Sequence, residues 1–147
     1  MMKSSRRRAR EYALQGLYQW QLAGGSAENI HAQLADDYNF AKADSDYFTR
    51  LLKGAMAAAA ELELVISPAL DRPLAQLSPI ERAILILASY ELRDQLEIPY
   101  RVVINEAVEI AKDFGGTDGF KYVNGVLDRI APLLRPHGAD KERINNP

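Results

Sequence analysis

The 147 residues include no cysteine. This excludes disulfides, thiol nucleophiles and cysteine metal sites, and it fits a reducing cytosol. No apolar run reaches the roughly 18 residues that a membrane span needs. Gln15, Gln19 and Gln21 interrupt the segment in which a secretory signal would need its apolar region. We therefore expect a cytoplasmic protein that does not associate with a membrane.

The usual sequence marks of an active site are also missing. The two histidines, His31 and His137, lie far apart, and no cluster of side chains has metal-ligand spacing. The glycine-rich segment 115–119 follows a helical pattern rather than a strand, which argues against a phosphate loop. Glu106 and Glu109 are near one another on a helix, but no partner base supports them, so solvated charges are the simpler interpretation. We expect no enzyme, no catalytic residue, no metal and no cofactor.

The chain does contain a helical pattern along nearly its whole length. Its 48% hydrophobic and 26% charged residues are typical of a globular protein. Apolar residues recur at spacings of three and four, and no segment alternates for long enough to demand a strand. Residues that favour helix N-caps precede the helical segments, namely Ser4 or Ser5, Ser26, Asp44, Ser78 and Asp118.

These patterns predict an all-α fold of six or seven helices in two small packed bundles, within one domain covering residues 1–147. The N-terminal bundle spans about 4–70 and the C-terminal bundle about 74–134, joined near residue 72. Segment 83–88 is apolar on every side, which predicts a central helix. Leu22 and Phe114 fall on apolar stripes that we expect to face inward. Pro132 should kink or end the last helix, and the polar tail from Arg135 should fray.

A basic head at residues 3–10 contrasts with an acidic body. Five cations occur here with no acid among them: Lys3, Arg6, Arg7, Arg8 and Arg10. The other residues contain 13 basic and 20 acidic side chains, a net charge of −7. A basic head on an acidic body predicts a polyanion partner for the head and a different partner for the body. The alternative interpretation is a solvated or disordered tail.

Several segments together resemble the NusB family of bacterial transcription antitermination factors. The strongest are the Pro-Tyr-x-x-x-Ile-Asn-Glu-Ala motif at 99–107 and Val-Asn-Gly-Val-Leu at 123–127. The resemblance is ordered and spans nearly the whole chain, and these segments carry it: 6–11, 17–22, 81–85, 88–92, 98–107, 111–115 and 122–128. Segment 24–77 adds little.

The resemblance implies an all-helical fold of two bundles and a non-catalytic role in transcription. It implies a heterodimer with NusE, which is the same polypeptide as ribosomal small-subunit protein S-ten. It also implies binding of single-stranded boxA RNA in nascent ribosomal RNA transcripts. The complex would then join RNA polymerase with other Nus factors and suppress premature termination.

The basic head fits an RNA site, because Lys3, Arg6, Arg7 and Arg10 would lie on one side of a helix, with Arg8 beside them. Phosphate contacts supply affinity, whereas single-stranded bases are read by stacking and edge contacts.

The last helix supplies the other candidate RNA contacts. Tyr122 is the candidate stacking residue, and we expect it to be exposed because Val123 fits the inward stripe better. Lys121 can add a phosphate contact. Asp118 should cap this helix and, at the same end, repel phosphates. Gly119 departs from the family pattern and is expected to loosen this corner.

Tyr18 and Glu81 are placed by the resemblance at the NusE contact. An ordinary helix surface for Tyr18 and a plain capping role for Glu81 remain equally open. Asn105 and Asn124 are expected to hold the fold as buried or capping amides rather than to touch RNA.

Related domains also occur at the N-terminus of certain ribosomal RNA cytosine methyltransferases, so an RNA-binding accessory domain is the alternative function. A third interpretation is a structural helical adaptor with an inert basic tail.

Overall fold

A computed structural model describes residues 3–114, 116 and 118–136. His137 and the rest of the C-terminal tail lie outside these described residues. Within them the structure has six α-helices and no strand. The helices are α1 Ser5–Ala23, α2 Ala27–Ala35, α3 Ser45–Ile66, α4 Pro79–Asp94, α5 Tyr100–Phe114 and α6 Gly119–Leu134. The all-α prediction is therefore confirmed. Short 3-10 turns lie at Tyr38–Lys42, Ser67–Ala69 and Leu74–Gln76.

Four of the predicted N-caps form the expected hydrogen bonds. The side-chain oxygens of Ser4, Ser26, Asp44 and Ser78 each accept from the backbone N–H three residues later. Such bonds satisfy donors that the first turn of a helix leaves unpaired. Gly24 ends α1 with φ at 72°, a left-handed conformation that favours glycine. Local sequence therefore sets these helix boundaries.

Helix α4 is the centre of the molecule. All ten residues from Ala83 to Leu92 are buried, as the apolar run 83–88 predicts. This helix packs against four others, α1, α3, α5 and α6. One hydrophobic core consequently extends through both halves of the chain. The helical pattern is interrupted near residue 72, where we predicted the junction of two bundles. The hydrophobic core contains residues from both sides of that junction.

Arg135 closes the C-terminal end of α4. It is buried, and its guanidinium donates to the carbonyl oxygens of Leu92 at 2.7 Å and Ile98 at 2.8 Å. Helix C-termini leave carbonyls unpaired, so a buried arginine there is stabilising. The expectation of a frayed tail from Arg135 is wrong at that residue. Pro132 lies inside α6, which ends two residues later.

Candidate nucleic-acid and partner interfaces

The basic head is ordered and turned partly inward. Arg7 Nε and Nη2 donate to the two carboxylate oxygens of Glu106 at 2.9 and 2.6 Å. Lys3 precedes the helix, which begins at Ser5, so the helical gathering that we predicted for Lys3 does not occur. Arg10 extends into the core, where it is 4% exposed. The tertiary fold thus supplies the acids that the head lacks in sequence.

A buried charge network surrounds Arg10. Its Nε and Nη2 donate to the carboxylate of Glu91 at 3.0 and 2.9 Å, and Glu91 is 2% exposed. The Tyr47 hydroxyl donates to the same carboxylate. Arg10 Nη1 also reaches Glu106 Oε1 at 3.4 Å. Charges this deeply buried need partners of this kind, because desolvating an unpaired ion is unfavourable by several kcal/mol.

The protonation equilibria in this network follow from the contacts. The Arg7 hydrogen bond lowers the pKa of the Glu106 carboxyl, against the opposing effect of burial. Burial acts to lower the pKa of Arg10, but the hydrogen bond and charge of Glu91 outweigh it and raise that pKa. Burial, followed by the charge of Glu91, raises the pKa of the Tyr47 hydroxyl. The network therefore alternates arginine guanidinium groups with glutamate carboxylates.

Three cations of the head remain closer to solvent. The Lys3 ammonium contacts Glu11 at 2.9 Å, and the Arg6 guanidinium lies 3.8 Å from Asp44 and 4.1 Å from the Tyr47 ring centroid. Arg8 is half-buried and makes no ion pair within the part of the chain that the structure describes. The Arg6–Asp44 pair is weak because its side chains are 43% and 33% exposed, so Arg6 can exchange Asp44 for phosphate. The Lys3 side chain is 42% exposed but its partner Glu11 is 11% exposed, so we expect Lys3 to reach phosphate while it stays paired.

Tyr122 differs from its prediction. It is half-buried against the core rather than freely exposed. On α6 it lies on the side that faces the connector at residues 67–72. The Arg72 guanidinium lies 4.5 Å from the Tyr122 ring centroid. Burial, with the nearby Asp71, raises the pKa of the Tyr122 hydroxyl. The ring borders an open groove that Lys121, Gly125, Arg129 and residues 68–71 also line.

Asp118 is at the N-cap position of α6, as predicted, but its side chain makes no capping hydrogen bond. Its carboxylate instead lies 3.5 Å from the Lys121 ammonium, with both side chains largely exposed. Gly119 is buried, and a Cβ added there would lie 3.2 Å from Glu81 Oε2. The glycine lets the start of α6 approach Glu81 closely, so it tightens the corner that we expected it to loosen.

Glu81 has the capping role that the sequence left open. Its backbone N–H donates to the Ser78 hydroxyl oxygen at 3.1 Å, and that hydroxyl lies 3.2 Å from Glu81 Oε1. The carboxylate is half-buried between the starts of α4 and α6. The contact between Glu81 and NusE stays a prediction.

An apolar groove lies beside the second half of α1. Leu22 is 60% exposed, Phe114 42% and Tyr18 36%. The three side chains border one groove, which Leu14, Gln15, Gln19, Ala23, Leu34 and Ile80 complete. The expectation that Leu22 and Phe114 face inward is wrong, because they lie at the ends of α1 and α5, where the core no longer covers them. Clustered exposed apolar groups of this kind mark protein interaction surfaces.

Two further expectations require correction. Asn105 and Asn124 are exposed and line a shallow groove between α5 and α6, so the buried alternative of that expectation is wrong. Glu106 is ion-paired and largely buried, whereas Glu109 keeps the solvated character that we expected and pairs with Lys112 at 3.0 Å.

His31 packs edge-on against Phe48, at 5.0 Å between ring centroids. No group of side chains that could hold a metal occurs among residues 3–114, 116 and 118–136.

Sequence reasoning missed Glu91 and the apolar groove. Glu91 had a usable signal, because an acid inside the buried segment 83–92 requires a buried cation. The groove had none, since Leu22 and Phe114 fit the helical stripes as well as core residues do. No described helix is long and apolar enough to cross a membrane.

Comparisons with known proteins agree over most of the chain. A family model described as the NusB family matches residues 7–132. Transcription antitermination protein NusB of Paraburkholderia xenovorans (strain LB400) is 56% identical over 134 residues, which cover 91% of this chain and 93% of that protein. The structure of T. maritima NusB is 34% identical with a TM-score of 0.80, covering 98% of this chain and 99% of that one. A structure of antitermination factors NusB and NusE in complex with dsRNA is 27% identical with a TM-score of 0.79, covering 90% and 99%.

Proposed function

The chain belongs to the NusB family, and from this we propose that its two surfaces serve transcription antitermination, one binding RNA and the other binding NusE. It is a non-enzymatic transcription antitermination factor, as its relatives are named. Its RNA is single-stranded boxA RNA of nascent ribosomal RNA transcripts. Together with NusE it joins the RNA polymerase antitermination complex and helps the polymerase resist premature termination.

The RNA surface begins at the basic head. We assign phosphate contacts to Lys3, Arg6 and Arg8, whose side chains reach solvent. Arg7 and Arg10 support this surface from beneath, because their guanidinium groups are already paired with glutamates. Such phosphate contacts hold an RNA strand without reading its sequence. The solved structure of antitermination factors NusB and NusE in complex with dsRNA supports RNA binding by a protein of this fold.

The start of α6 supplies the second part of the RNA surface. Tyr122 borders an open groove, and one contact of its ring is already with Arg72. An arginine beside an aromatic ring suits an unpaired base, which can stack on either group. Lys121 is exposed and contacts phosphate, whereas the exposed carboxylate of Asp118 opposes it. Base reading is therefore assigned to this groove rather than to the head.

The apolar groove of Tyr18, Leu22 and Phe114 is the proposed NusE surface. Its exposed aromatic and leucine side chains favour burial against a protein. We keep Glu81 as a second NusE contact on the family resemblance, although its side chain is not among those that line this groove. The relative solved together with NusE supports this partner.

One observation carries the two-surface proposal: α1 presents cations at its first turns and exposed Leu22 at its last turn. Arg8 and Leu22 are 14 residues apart, which corresponds to roughly 21 Å along an α-helix. This distance exceeds the Debye length of about 8 Å at physiological salt. The two partners can therefore bind α1 at the same time, with little electrostatic interference.

The alternative function gains no support from the comparisons. Two relatives that are 56% identical to this chain carry the antitermination name, and the match covers 93% and 94% of their own length. We propose a cytoplasmic location, since a factor of bacterial transcription acts where the RNA is made. The division into sub-bundles at about 4–70 and 74–134 remains a proposal about organisation within one domain.

RNA binding by paired variants tests the proposal. The double variant Arg6→Ala with Arg8→Ala should weaken binding to a boxA strand. The slope of log affinity against log salt should become less negative by up to about 1.4, or 0.7 for each lost phosphate contact. The same variant should bind NusE normally. Tyr18→Asp should show the opposite result, because a carboxylate must be desolvated in an apolar contact.

The tests separate the two surfaces. If Tyr18→Asp binds NusE as the wild type does, the groove is not the NusE surface. An unchanged salt slope in the arginine variant removes the head from the RNA site. A boxA duplex serves as the comparison for the single strand, and preference for the duplex would contradict single-strand recognition.

A further inference from the structure

The carboxylate of Glu106 occupies the place at Arg7 that an RNA phosphate would take. Both of its oxygens accept from Arg7, through Nε at 2.9 Å and Nη2 at 2.6 Å. This two-point geometry is the one in which arginine also binds phosphate. The Arg7 side chain is 27% exposed, so a ligand in solvent could reach it. The Arg10 side chain also binds a carboxylate through two nitrogens, but it is 5% exposed.

Glu106 is itself held in place by the core. Its side chain is 15% exposed, and Oε1 also accepts from Arg10 Nη1 at 3.4 Å. Arg10 is fixed in turn by Glu91, which accepts from the Tyr47 hydroxyl as well. If Arg7 bound a phosphate instead, the largely buried carboxylate of Glu106 would keep Arg10 as its partner, at the longer distance of 3.4 Å. Removing one partner from such a pair is unfavourable.

We propose that Glu106 is an intramolecular competitor for RNA phosphate, which keeps Arg7 out of the RNA contact and thereby limits RNA affinity. This inference rests on the proposed RNA site at the head. Since phosphate contacts are independent of base sequence, the limit applies to every single strand alike. The head therefore presents fewer phosphate-binding cations than its sequence contains, and base contacts make up a larger share of the binding energy.

Glu106→Gln tests the proposal, because glutamine keeps the side-chain size and one acceptor but removes the charge. The released Arg7 should gain one phosphate contact, which steepens the salt slope by about 0.7 and tightens binding roughly fivefold at 0.1 M salt. A boxA strand and a shuffled strand of the same composition should gain by the same factor. The double variant Glu106→Gln with Arg7→Ala should lose that gain.

Glu63→Gln is the matched control. Glu63 binds Arg82 through a similar pair, with its Oε2 2.6 Å from Arg82 Nε and its side chain 18% exposed. It lies 16 residues along α3 from Tyr47, roughly 24 Å of helix from the head network. The same charge is removed at both sites, so only Glu106→Gln should change RNA binding. Thermal melting of each variant checks that the fold is retained.

A measurement on the wild-type protein is independent of any folding defect. The Arg7 Nε–H resonance should be protected from solvent exchange in the free protein, and it should keep its position when boxA RNA saturates the protein. A large shift of this resonance on RNA binding would show that Arg7 changes partner, which overturns the proposal. So would equal or weaker RNA binding by a folded Glu106→Gln variant, while Arg6→Ala with Arg8→Ala still weakens it. If neither variant affects RNA binding, the head is not the RNA site and the proposed function fails there.

Discussion

Replacing Arg10 by methionine should destabilise the fold rather than simply weaken RNA binding. Methionine keeps an unbranched apolar stem but removes the guanidinium that pairs with Glu91 at 2.9 Å. Glu91 is 2% exposed, so its carboxylate would be left as a buried charge with the Tyr47 hydroxyl as its remaining donor in the network. Breaking one partner out of a buried ion pair costs about 3–5 kcal/mol.

For a domain of this size that loss corresponds to a fall in Tm of roughly 6–20 °C. The assay is thermal unfolding followed by far-UV circular dichroism, with urea unfolding as a second measure. Arg8→Met is the control, since Arg8 makes no ion pair among the described residues. It should change the unfolding free energy by no more than about 0.5 kcal/mol, as surface substitutions do.

A second variant distinguishes an orphaned charge from lost packing. Adding Glu91→Gln to Arg10→Met removes the unpaired carboxylate but keeps an acceptor for Tyr47, so it should restore part of the lost stability. The reasoning is refuted if Arg10→Met melts with the control. It is also refuted if the double variant is less stable than Arg10→Met alone. A selective loss of RNA affinity with unchanged Tm would place Arg10 on the RNA surface.

Three further predictions concern single sites. Asp118→Asn and Asp118→Ala should both keep a free energy of unfolding within about 0.5 kcal/mol of the wild type, because no capping bond is lost. Both variants should bind RNA more tightly at low salt, and this gain should shrink as salt rises. A clear loss of Tm in the alanine variant would show that the side chain does cap α6. Gly54→Ala should lower stability by about 1–3 kcal/mol in urea unfolding, since its Cβ would overlap the Tyr90 ring; a stabilised variant contradicts this packing. The folded pKa of Glu106 lies below the ordinary 4.5, so its stabilisation is present above pH 4.5 and is lost as pH falls through the lowered value. Glu106→Gln should accordingly show a shallower loss of Tm on acidification, and an unchanged acid profile would count against the ion pair.

The division of the head into two roles changes how its charge should be understood. Counted along the sequence, residues 3–10 form a block of five positive charges. In the fold, two of those charges pair with Glu91 and Glu106 and hold α1 against α4 and α5. The same segment therefore anchors the first helix and presents the remaining cations to RNA. An ordered head avoids part of the entropy that a disordered segment loses when it binds.

Local sequence determined the helices and most of their ends. Ser4, Ser26, Asp44 and Ser78 act as caps through contacts within three residues, so no distant part of the chain is needed to predict them. The central position of α4 also followed from sequence, because a helix that is apolar on every side must be surrounded. Asp118 shows the limit of such reasoning, since its cap position is right but its side chain pairs with Lys121 instead.

Only the tertiary structure decided which charges and apolar groups remain available to partners. Arg7 and Arg10 find their acids 99 and 81 residues away, at Glu106 and Glu91, and helical periodicity within α1 carries no information about such distant neighbours. Likewise Leu22 and Phe114 have the pattern of core residues but lie at helix ends, beyond the layer that closes the core. A periodic pattern gives the direction of a side chain from its own helix. Burial depends also on whether another element lies in that direction, and that is settled by packing of the whole chain.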